Sequence, residues 1–348
     1  MNENINGISF IIPCRNAEST IIRCLDSIIS IDIDDIQIIV VCNNCIDNTE
    51  AIAEEYKLKY SQINIIILYD NMIKNASMAR NLGITMSSHP WIIFVDSDDY
   101  FNSKLFNLID LNNKEILESQ MITNNYFLIK NNKLKIKEHG IVGANIQEKT
   151  EILEYLNKYC NVPYKYTLFV HCWAKFYRRN IIIKNNITFN EKLNQLEDVN
   201  FNLKYLFHCR KIYHTSLPLY FYDADSNTNG LSINSGNEDE SIKKIYLAIQ
   251  PIKKILISKF SRIVIKNLIS QILTSIARIW MIRLSSNKSI NFEESKYRIQ
   301  KILHSKLYKV AEKRYSCREQ DSRILNFASK YLPHKIVIFH LFYKSNRR

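Results

Sequence analysis

Short apolar runs alternate with amphipathic segments over the first hundred residues. Four runs rich in Ile and Val are typical of buried strands: Ile8–Pro13, Gln37–Cys42, Asn64–Tyr69 and Trp91–Val95. The segments between them have helical spacing of apolar residues and predict helices over Ala17–Ile29, Asp47–Tyr60 and Ala76–Ser87. Continuous apolar strands separated by helices predict a parallel sheet that is covered on both faces, which is an α/β fold.

The pattern becomes mixed after residue 102. It predicts helices over Lys104–Glu118 and Glu197–Phe207, a strand over Met121–Ile129, and a strand pair near Lys211–Tyr222. Residues 241–348 carry closely spaced Ile and Leu that predict helices only. We therefore expect one α/β domain over residues 1–238, with halves at about 1–100 and 101–238, followed by a helical region over residues 239–348.

Charge is distributed unevenly between these regions. Residues 241–348 hold 24 Lys and Arg against 5 Asp and Glu, whereas the rest of the chain holds 23 against 29. Such a basic region predicts a polyanionic partner. The apolar and aromatic segment Tyr331–Arg348 is typical of a helix that lies on an anionic membrane surface. The alternatives are a helical bundle with a solvated basic face, or an oligomer contact; no nucleic-acid motif accompanies the charge, so no nucleic-acid partner is expected.

Targeting and cysteine signals predict a cytoplasmic protein, peripheral on the inner face of the cytoplasmic membrane. The amino terminus lacks a basic segment followed by a long apolar run, and we see no uncharged apolar stretch of about 18 residues. Eight cysteines in this context indicate reduced thiols. Cys42 and Cys45 form a C-x-x-C, but no second pair has matching spacing, so zinc is not expected there. The six glycines form neither a dinucleotide-binding nor a P-loop motif.

The strongest chemical signal is the acidic run Asp96-Ser-Asp-Asp99 directly after the fourth strand. In extended backbone, Asp96 and Asp98 point to the same side, and a divalent cation relieves the repulsion between two such carboxylates. Oxygen ligands suit Mg²⁺ or Mn²⁺, and ligands of α/β sheets bind at the carboxyl ends of strands. The alternative is a solvated acidic turn that caps the next helix.

Several motifs occur in the order that is typical of one enzyme family. They are Ser9–Glu18 (SFIIPCRNAE), Ile38–Thr49 (IIVVCNNCIDNT), Ala79–Ile84 (ARNLGI), Phe94–Asp99 (FVDSDD), Trp173–Arg178 (WAKFYR) and Glu197–Phe201 (EDVNF). This order resembles the family two glycosyltransferases, which have the GT-A fold: a Rossmann-like, mostly parallel mixed sheet with flanking helices. The resemblance covers residues 8–232 and implies a nucleotide-sugar half over about 1–100 and an acceptor half over about 101–238.

The resemblance implies a donor site at the carboxyl edge of the sheet. Asp98 would hold Mn²⁺ or Mg²⁺, and Asp96 would face the ribose of the donor or the metal. The remaining donor contacts would come from seven residues: Pro13, Arg15, Asn43, Asn44, Asn71, Arg80 and Ser97. Arg80 would reach the diphosphate as a cation or, alternatively, pair with a carboxylate near it. Asn43 stands where the family has an aspartate that contacts the base, and Cys45 stands where glycine is usual, so the base identity is left open.

Glu197 and Asp198, the first two residues of the motif EDVNF, would carry out the catalytic steps. The resemblance makes Asp198 the general base for the acceptor hydroxyl and lets Glu197 orient the acceptor or tune Asp198. Partial burial raises the pKa of a carboxylate and makes it a better base. The alternative is that both acids only favour the start of a helix. Trp173 and Asp99 are further candidates for acceptor contacts, and Trp173 could equally be a core residue.

Together these features predict an inverting, metal-dependent glycosyltransferase. It would transfer a sugar from a nucleotide-sugar donor to a glycan acceptor. We expect the donor to be a UDP-sugar and the acceptor to be linked to lipid. The context implied is bacterial surface polysaccharide, such as O-antigen, capsule or lipooligosaccharide. One alternative is a non-catalytic, membrane-associated protein that binds nucleotide sugars. The other is a nucleotidyltransferase with a similar α/β fold, which would require a Gly- and Arg-rich loop after the first strand.

Overall fold

A computed structural model describes residues 7–69, 72–139, 146–226, 238–287, 289–316, 329, 331 and 333–345. Contacts divide the chain into two compact units. The first contains residues 1–153 and 168–230, and the second contains residues 154–167 and 231–348. Residues 154–167 group with the second unit although they precede the boundary predicted at residue 238.

The first hundred residues form four strands with helices between them. The elements are β1 (Ile8–Cys14), α1 (Ile21–Ile29), β2 (Ile36–Cys42), α2 (Thr49–Lys59), β3 (Asn64–Tyr69), α3 (Ala76–Met86) and β4 (Trp91–Phe94). The strands pair in the order β3-β2-β1-β4, and every pair is parallel. The predicted alternation is therefore confirmed to within a few residues at each end.

The rest of the first unit completes one mixed sheet. The chain continues through β5 (Tyr100–Phe101), α4 (Ser103–Phe106), α5 (Lys114–Glu118), β6 (Met121–Lys130), β7 (Lys133–Lys137), β8 (Ile146–Glu148), α6 (Lys149–Asn161), β9 (Phe176–Arg178), α7 (Arg179–Lys184), α8 (Glu197–Leu206) and β10 (Lys211–Asp223). Among the described residues, ten strands share the sheet, in the order β3-β2-β1-β4-β9-β6-β10-β5, with β7 beside β6 and β8 beside β10. The sheet is mixed: the pairs from β3 to β4 and the pair β6–β10 are parallel, whereas β9, β5, β7 and β8 are antiparallel to the strands they pair with.

Two sequence expectations in this region are wrong. The helix predicted over Lys104–Glu118 is two short helices, because Asn107–Asn113 forms turns in which the Asp110 side chain accepts the Asn112 N–H. The strand pair predicted near Lys211–Tyr222 is the single strand β10, whose pairing with β6 shifts register on both sides of Pro218. Proline has no N–H for the ladder and is accommodated at such irregularities.

Close packing of α3 on the sheet determines where the site residues of that helix lie. Asn75 caps α3, and its side chain accepts a hydrogen bond from the Met78 N–H at 3.0 Å. A methyl group at Gly83 would overlap the Ile11 side chain on β1. Glycine at this position therefore lets the helix approach the strand, and Arg80, one turn earlier, lies on the same buried face.

The described part of the second unit is helical, as predicted. Besides the end of α6, it contains α9 (Glu238–Leu256), α10 (Arg262–Ser286), α11 (Phe292–His304), α12 (Lys306–Glu312) and α13 (His334–Ser345). Helix α10 packs against the other four, and a buried ion pair between Arg278 and Glu312 at 2.7 Å joins it to α12. By length and composition alone α10 is one helix, among the described residues, that could cross a membrane; 56% of its most apolar window is buried within the protein. That burial is typical of a core helix.

Candidate active site

The carboxyl ends of β1, β2 and β4 meet at one edge of the sheet. The backbone N–H of Asn43 donates to the Cys14 carbonyl at 2.8 Å, and that of Val95 donates to the Ile11 carbonyl at 3.0 Å. These bonds continue the parallel ladders past the strand ends, so the segments that begin at Asn43 and Asp96 start side by side with the end of β1. Such an edge is where open α/β sheets bind ligands.

A buried arginine links the two groups of acids that the sequence separates by about a hundred residues. Arg80 is 4% exposed, and its two terminal nitrogens bind Asp96 Oδ1 at 2.8 Å and Asp198 Oδ1 at 3.2 Å. The guanidinium also lies over the Phe189 ring, 5.4 Å from its centroid. Asp198 is therefore on the same side of the molecule as Asp96, one guanidinium away from it.

Helix α8 presents its two acids from its first turn. Leu196 precedes the helix in left-handed backbone with φ 62°, and no side chain caps the helix there. Asp198 Oδ2 accepts the Cys172 N–H at 3.1 Å, so each carboxylate oxygen accepts one hydrogen bond. Since each oxygen has two lone pairs, Asp198 keeps the capacity to accept a further proton donor.

The turn Asp96–Asp99 is braced from three directions. Its own backbone closes through the Asp99 N–H and the Asp96 carbonyl at 3.0 Å, and the Tyr220 hydroxyl oxygen accepts the Asp96 N–H at 3.1 Å. Arg23 on α1 donates to the Asp98 carbonyl at 2.8 Å and pairs with Asp223 Oδ2 at 3.0 Å. Sequence reasoning missed Arg23, because a single cation on an amphipathic helix gives no signal of its partner.

Crowding of the acids moves their pKa values toward neutrality. Burial, and then repulsion from Asp96, raise the pKa of Asp98 to about 6. Burial, and then repulsion from Asp198, raise the pKa of Glu197 to about 7. Burial also raises the pKa of Asp96, although Arg80 opposes that shift. A divalent cation would relieve the repulsion, and the two carboxylates at the strand end fit the oxygen ligands that Mg²⁺ and Mn²⁺ require.

The predicted acceptor residues lie in the core rather than on a surface. Asp99 is fully buried, its Oδ1 accepts the Asp223 N–H at 2.8 Å, and burial, together with repulsion from Asp96, raises its pKa well above the ordinary value. Trp173 is 4% exposed and stacks on Tyr220 and His171 at centroid distances of 4.9 Å and 4.7 Å. Both residues therefore pack into the framework of the site.

Two acids at and just after the end of β10, Asp223 and Asp225, have framework contacts too. Asp223 binds Arg23 and also accepts the Ser226 hydroxyl at 2.8 Å. The two oxygens of Asp225 accept the N–H groups of Asn131 and Asn132 at 2.7 Å and 2.9 Å and so fix the turn between β6 and β7.

The residues expected to contact the nucleotide fall into two groups. Pro13, Arg15, Asn43 and Asn44 lie at the ends of β1 and β2, where Asn44 has left-handed backbone with φ 47° and donates to the Ile73 carbonyl at 2.7 Å. Asn43 is buried, whereas Arg15 and Asn44 are exposed. Ser97 is buried in the acidic turn. Asn71 lies outside the described residues.

A mixed sheet that carries paired acids at its carboxyl edge, with further acids at the start of α8, is the arrangement expected of a glycosyltransferase of the GT-A fold. Residues 9–183 match the model of the family described as "Glycosyl transferase family 2". Because that match spans half of the chain, the protein belongs to this family.

Relatives and solved structures agree with this assignment. The chain is 26% identical over 243 residues to "Uncharacterized glycosyltransferase EpsJ" of Bacillus subtilis (strain 168), covering 69% of this chain and 68% of that protein. It is 24% identical over 255 residues to "Uncharacterized glycosyltransferase YibD" of Escherichia coli (strain K12), covering 72% and 70%. The fold is similar to the crystal structure of S. aureus TarS 1–349, with a TM-score of 0.59 at 16% identity over 98% of this chain and 90% of that one.

Loss of the Arg80 side chain tests how far the acids depend on it. In Arg80→Leu we expect the thermal midpoint at pH 8 to fall by an amount equivalent to about 3–5 kcal/mol, because two partly buried carboxylates lose their cation. The fall is smaller at pH 5, where the raised pKa of Asp96 favours protonation of its carboxylate. Circular dichroism melts of Arg80→Leu and of the exposed control Arg210→Leu measure it. An equal, small effect of both substitutions would contradict a central role of Arg80.

Proposed function

We propose that this chain transfers a sugar from a nucleotide-sugar donor to a hydroxyl of a glycan acceptor. The observation that carries the proposal is the bridge from Asp96 through Arg80 to Asp198, which puts the strand-end acids and the acids of α8 at one centre. A donor diphosphate beside Asp96 and an acceptor hydroxyl beside Asp198 would then both lie next to the sugar that is transferred. Membership of family 2 supports nucleotide-sugar transfer over the nucleotidyltransferase alternative.

The donor is proposed to be a UDP-sugar. TarS, whose fold is similar, has been crystallised with UDP and with UDP-GlcNAc. In this chain Asn43 and Asn44 offer amide donors and acceptors at the base end, where carboxylates would offer acceptors only. Pro13 and Arg15 would border the base from β1, and Arg80 would contribute its charge beside the diphosphate.

Asp198 is proposed to take the proton from the acceptor hydroxyl. Arg80 and the Cys172 N–H fix its orientation, while its remaining lone pairs are available to the hydroxyl. The acceptor oxygen would attack the anomeric carbon from the face opposite the nucleotide, which inverts the configuration. Glu197, the neighbouring acid, would orient the acceptor through its ionised carboxylate.

Asp96 and Asp98 are proposed to hold Mn²⁺ or Mg²⁺. When bound, such a cation supplies Lewis-acid stabilisation of the negative charge that develops on the leaving diphosphate. The chain positions the two ligands through the Tyr220 hydroxyl and Arg23, which fix the backbone of the acidic turn at both ends. The metal dependence follows from the donor set and is open to direct test.

The acceptor and the location are proposed from the second unit. Helix α13 exposes apolar side chains, with Phe339 71% and Ile336 43% exposed, in a region whose formal charge is +19. This combination is typical of a segment that lies on an anionic leaflet. We therefore propose a peripheral protein on the inner face of the cytoplasmic membrane that acts on a lipid-linked glycan of surface polysaccharide.

Transfer assays with purified variants test the chemistry. We expect turnover of a nucleotide sugar, stimulated by Mn²⁺ or Mg²⁺, with an inverted product detected by nuclear magnetic resonance. Asp198→Asn should reduce transfer by about 10²–10⁴-fold while donor binding survives, because only the proton acceptor is lost. Asp98→Ala should lose the stimulation by metal, and Asp34→Asn, an exposed control, should behave as the original chain. Normal turnover by Asp198→Asn would overturn the assignment of the base, and donor binding without transfer to any acceptor would favour the non-catalytic alternative.

The pH profile separates the roles of the two acids of α8. Below a pKa of about 7 Glu197 is protonated and above it ionised, so kcat/KM of the original chain should rise as the pH increases from 6 to 8. Glu197→Gln should remove this rise and lower the plateau, because the carboxylate that titrates beside Asp198 is then absent. Glu118→Gln, which changes an exposed acid at the end of α5, is the matched control. A rise that persists in Glu197→Gln would exclude this role of Glu197.

Vesicle co-sedimentation tests the membrane proposal. The chain should pellet with vesicles that contain anionic phospholipid and remain in solution with neutral ones, and raising the salt concentration should weaken binding. Phe339→Ser should reduce the bound fraction, because Phe339 exposes most of its ring. Leu58→Ser, at an exposed apolar position of the first unit, serves as the control. Equal binding to anionic and neutral vesicles would contradict the proposal.

A further inference from the structure

Two thiols and a carboxylate lie close together at the end of β2, and a third cysteine lies beside them at the end of β1. Cys14 and Cys42 are the last residues of these strands, and they are direct partners in the parallel register. Side chains of such partners lie on the same face of a sheet. Both cysteines are 1% exposed, whereas Cys45, three residues further on, is only partly buried.

The distances within this cluster suit a common ligand. The thiol sulfurs of Cys42 and Cys45 and a carboxylate oxygen of Glu50 all lie within 4.8 Å of one another. The Cys45 thiol also lies close to the end of β1, since it donates to the Cys14 carbonyl at 3.8 Å. One divalent ion at about 2.0–2.3 Å from each ligand atom would fit among donors so spaced.

The surrounding backbone fixes the cluster without any ion. The Asn16 side chain accepts the Ile46 N–H at 2.9 Å, which ties the turn after β2 to the segment after β1. The Asp47 side chain accepts the Thr49 N–H at 3.1 Å and so starts α2 beside Glu50. The donors therefore come from elements that are already held together, which lowers the entropic cost of binding a ligand.

We propose that Cys42, Cys45 and Glu50, with Cys14 beside them, form a zinc-binding site at the end of β2. Thiolates are ligands that favour Zn²⁺, and a carboxylate is an accepted further ligand. The site differs in chemistry from the acidic turn after β4, whose donors are oxygens only. Binding releases the thiol protons, so the affinity for zinc increases with pH.

The sequence alone predicted no zinc here, because a single C-x-x-C lacks a second pair of cysteines at matching spacing. The structure instead adds the Glu50 carboxylate, from the first turn of α2, to the two thiols. Cys42 and Cys45 flank Asn43 and Asn44 in the chain, and we assign these two asparagines to contacts with the nucleotide base. A bound ion would therefore hold the turn that carries them; this consequence rests on the proposed function, whereas zinc binding itself does not.

Metal titration of the full, reduced, metal-free chain tests the site. In competition with a chromophoric chelator we expect one Zn²⁺ per chain with a Kd below about 1 µM. Co²⁺ in its place should give the near-ultraviolet absorption of thiolate–cobalt charge transfer. Cys45→Ser should abolish this absorption and weaken zinc binding by more than about 100-fold, and Glu50→Gln should weaken it about tenfold.

Two controls identify which site responds. Cys209→Ser removes a buried thiol elsewhere in the first unit and should leave both signals unchanged. Asp98→Ala removes a ligand of the acidic turn and should keep the thiolate–cobalt absorption. Because Cys45 is only partly buried, its substitution is the safest for folding, and circular dichroism verifies this. Absence of the cobalt absorption in the original chain, or its persistence in Cys45→Ser, overturns the proposal.

Discussion

A single buried guanidinium holds the acids of this protein at one centre. Arg80 is nearly inaccessible, and it neutralises Asp96 from the sheet edge and Asp198 from α8 at the same time. Burying three charged groups is costly unless each is paired, and a planar guanidinium can pair with two carboxylates at once. The close approach of α3 to β1 at Gly83 is what allows the arginine to reach both.

The acidic turn depends on contacts from outside the glycosyltransferase motifs. Arg23 and Tyr220 bind its backbone, and Asp99 and Asp223 join it to β10. These groups leave the carboxylates of Asp96 and Asp98 partly accessible while they fix the backbone that carries them. Burial and repulsion from Asp96 raise the pKa of Asp98 to about 6, and a cation bound beside this carboxylate would oppose the shift.

Local pattern was a good guide to some elements and a poor one to others. The strands β1–β4 were predictable because each is a short run of apolar residues. β1, β2 and β4 are buried on both faces, whereas β3, at the edge of the sheet, buries mainly Ile65 and Ile67. The helix expected over Lys104–Glu118 failed because the Asn- and Asp-containing turn inside it competes with helical hydrogen bonds. The single strand β10 was misread as two, because its irregularity at Pro218 resembles a turn when only the sequence is considered.

The sequence by itself determined the α/β class, the family and the identity of the acids at the strand end and at the start of α8, because those features are contiguous. Only the tertiary structure decided which side chains meet. It joined Arg80 to Asp198 across 118 residues, buried Asp99 and Trp173, and set Cys14 beside Cys42. The physical reason is that periodicity records which face of an element is buried, whereas strand register and helix packing decide which buried or partly buried groups become neighbours.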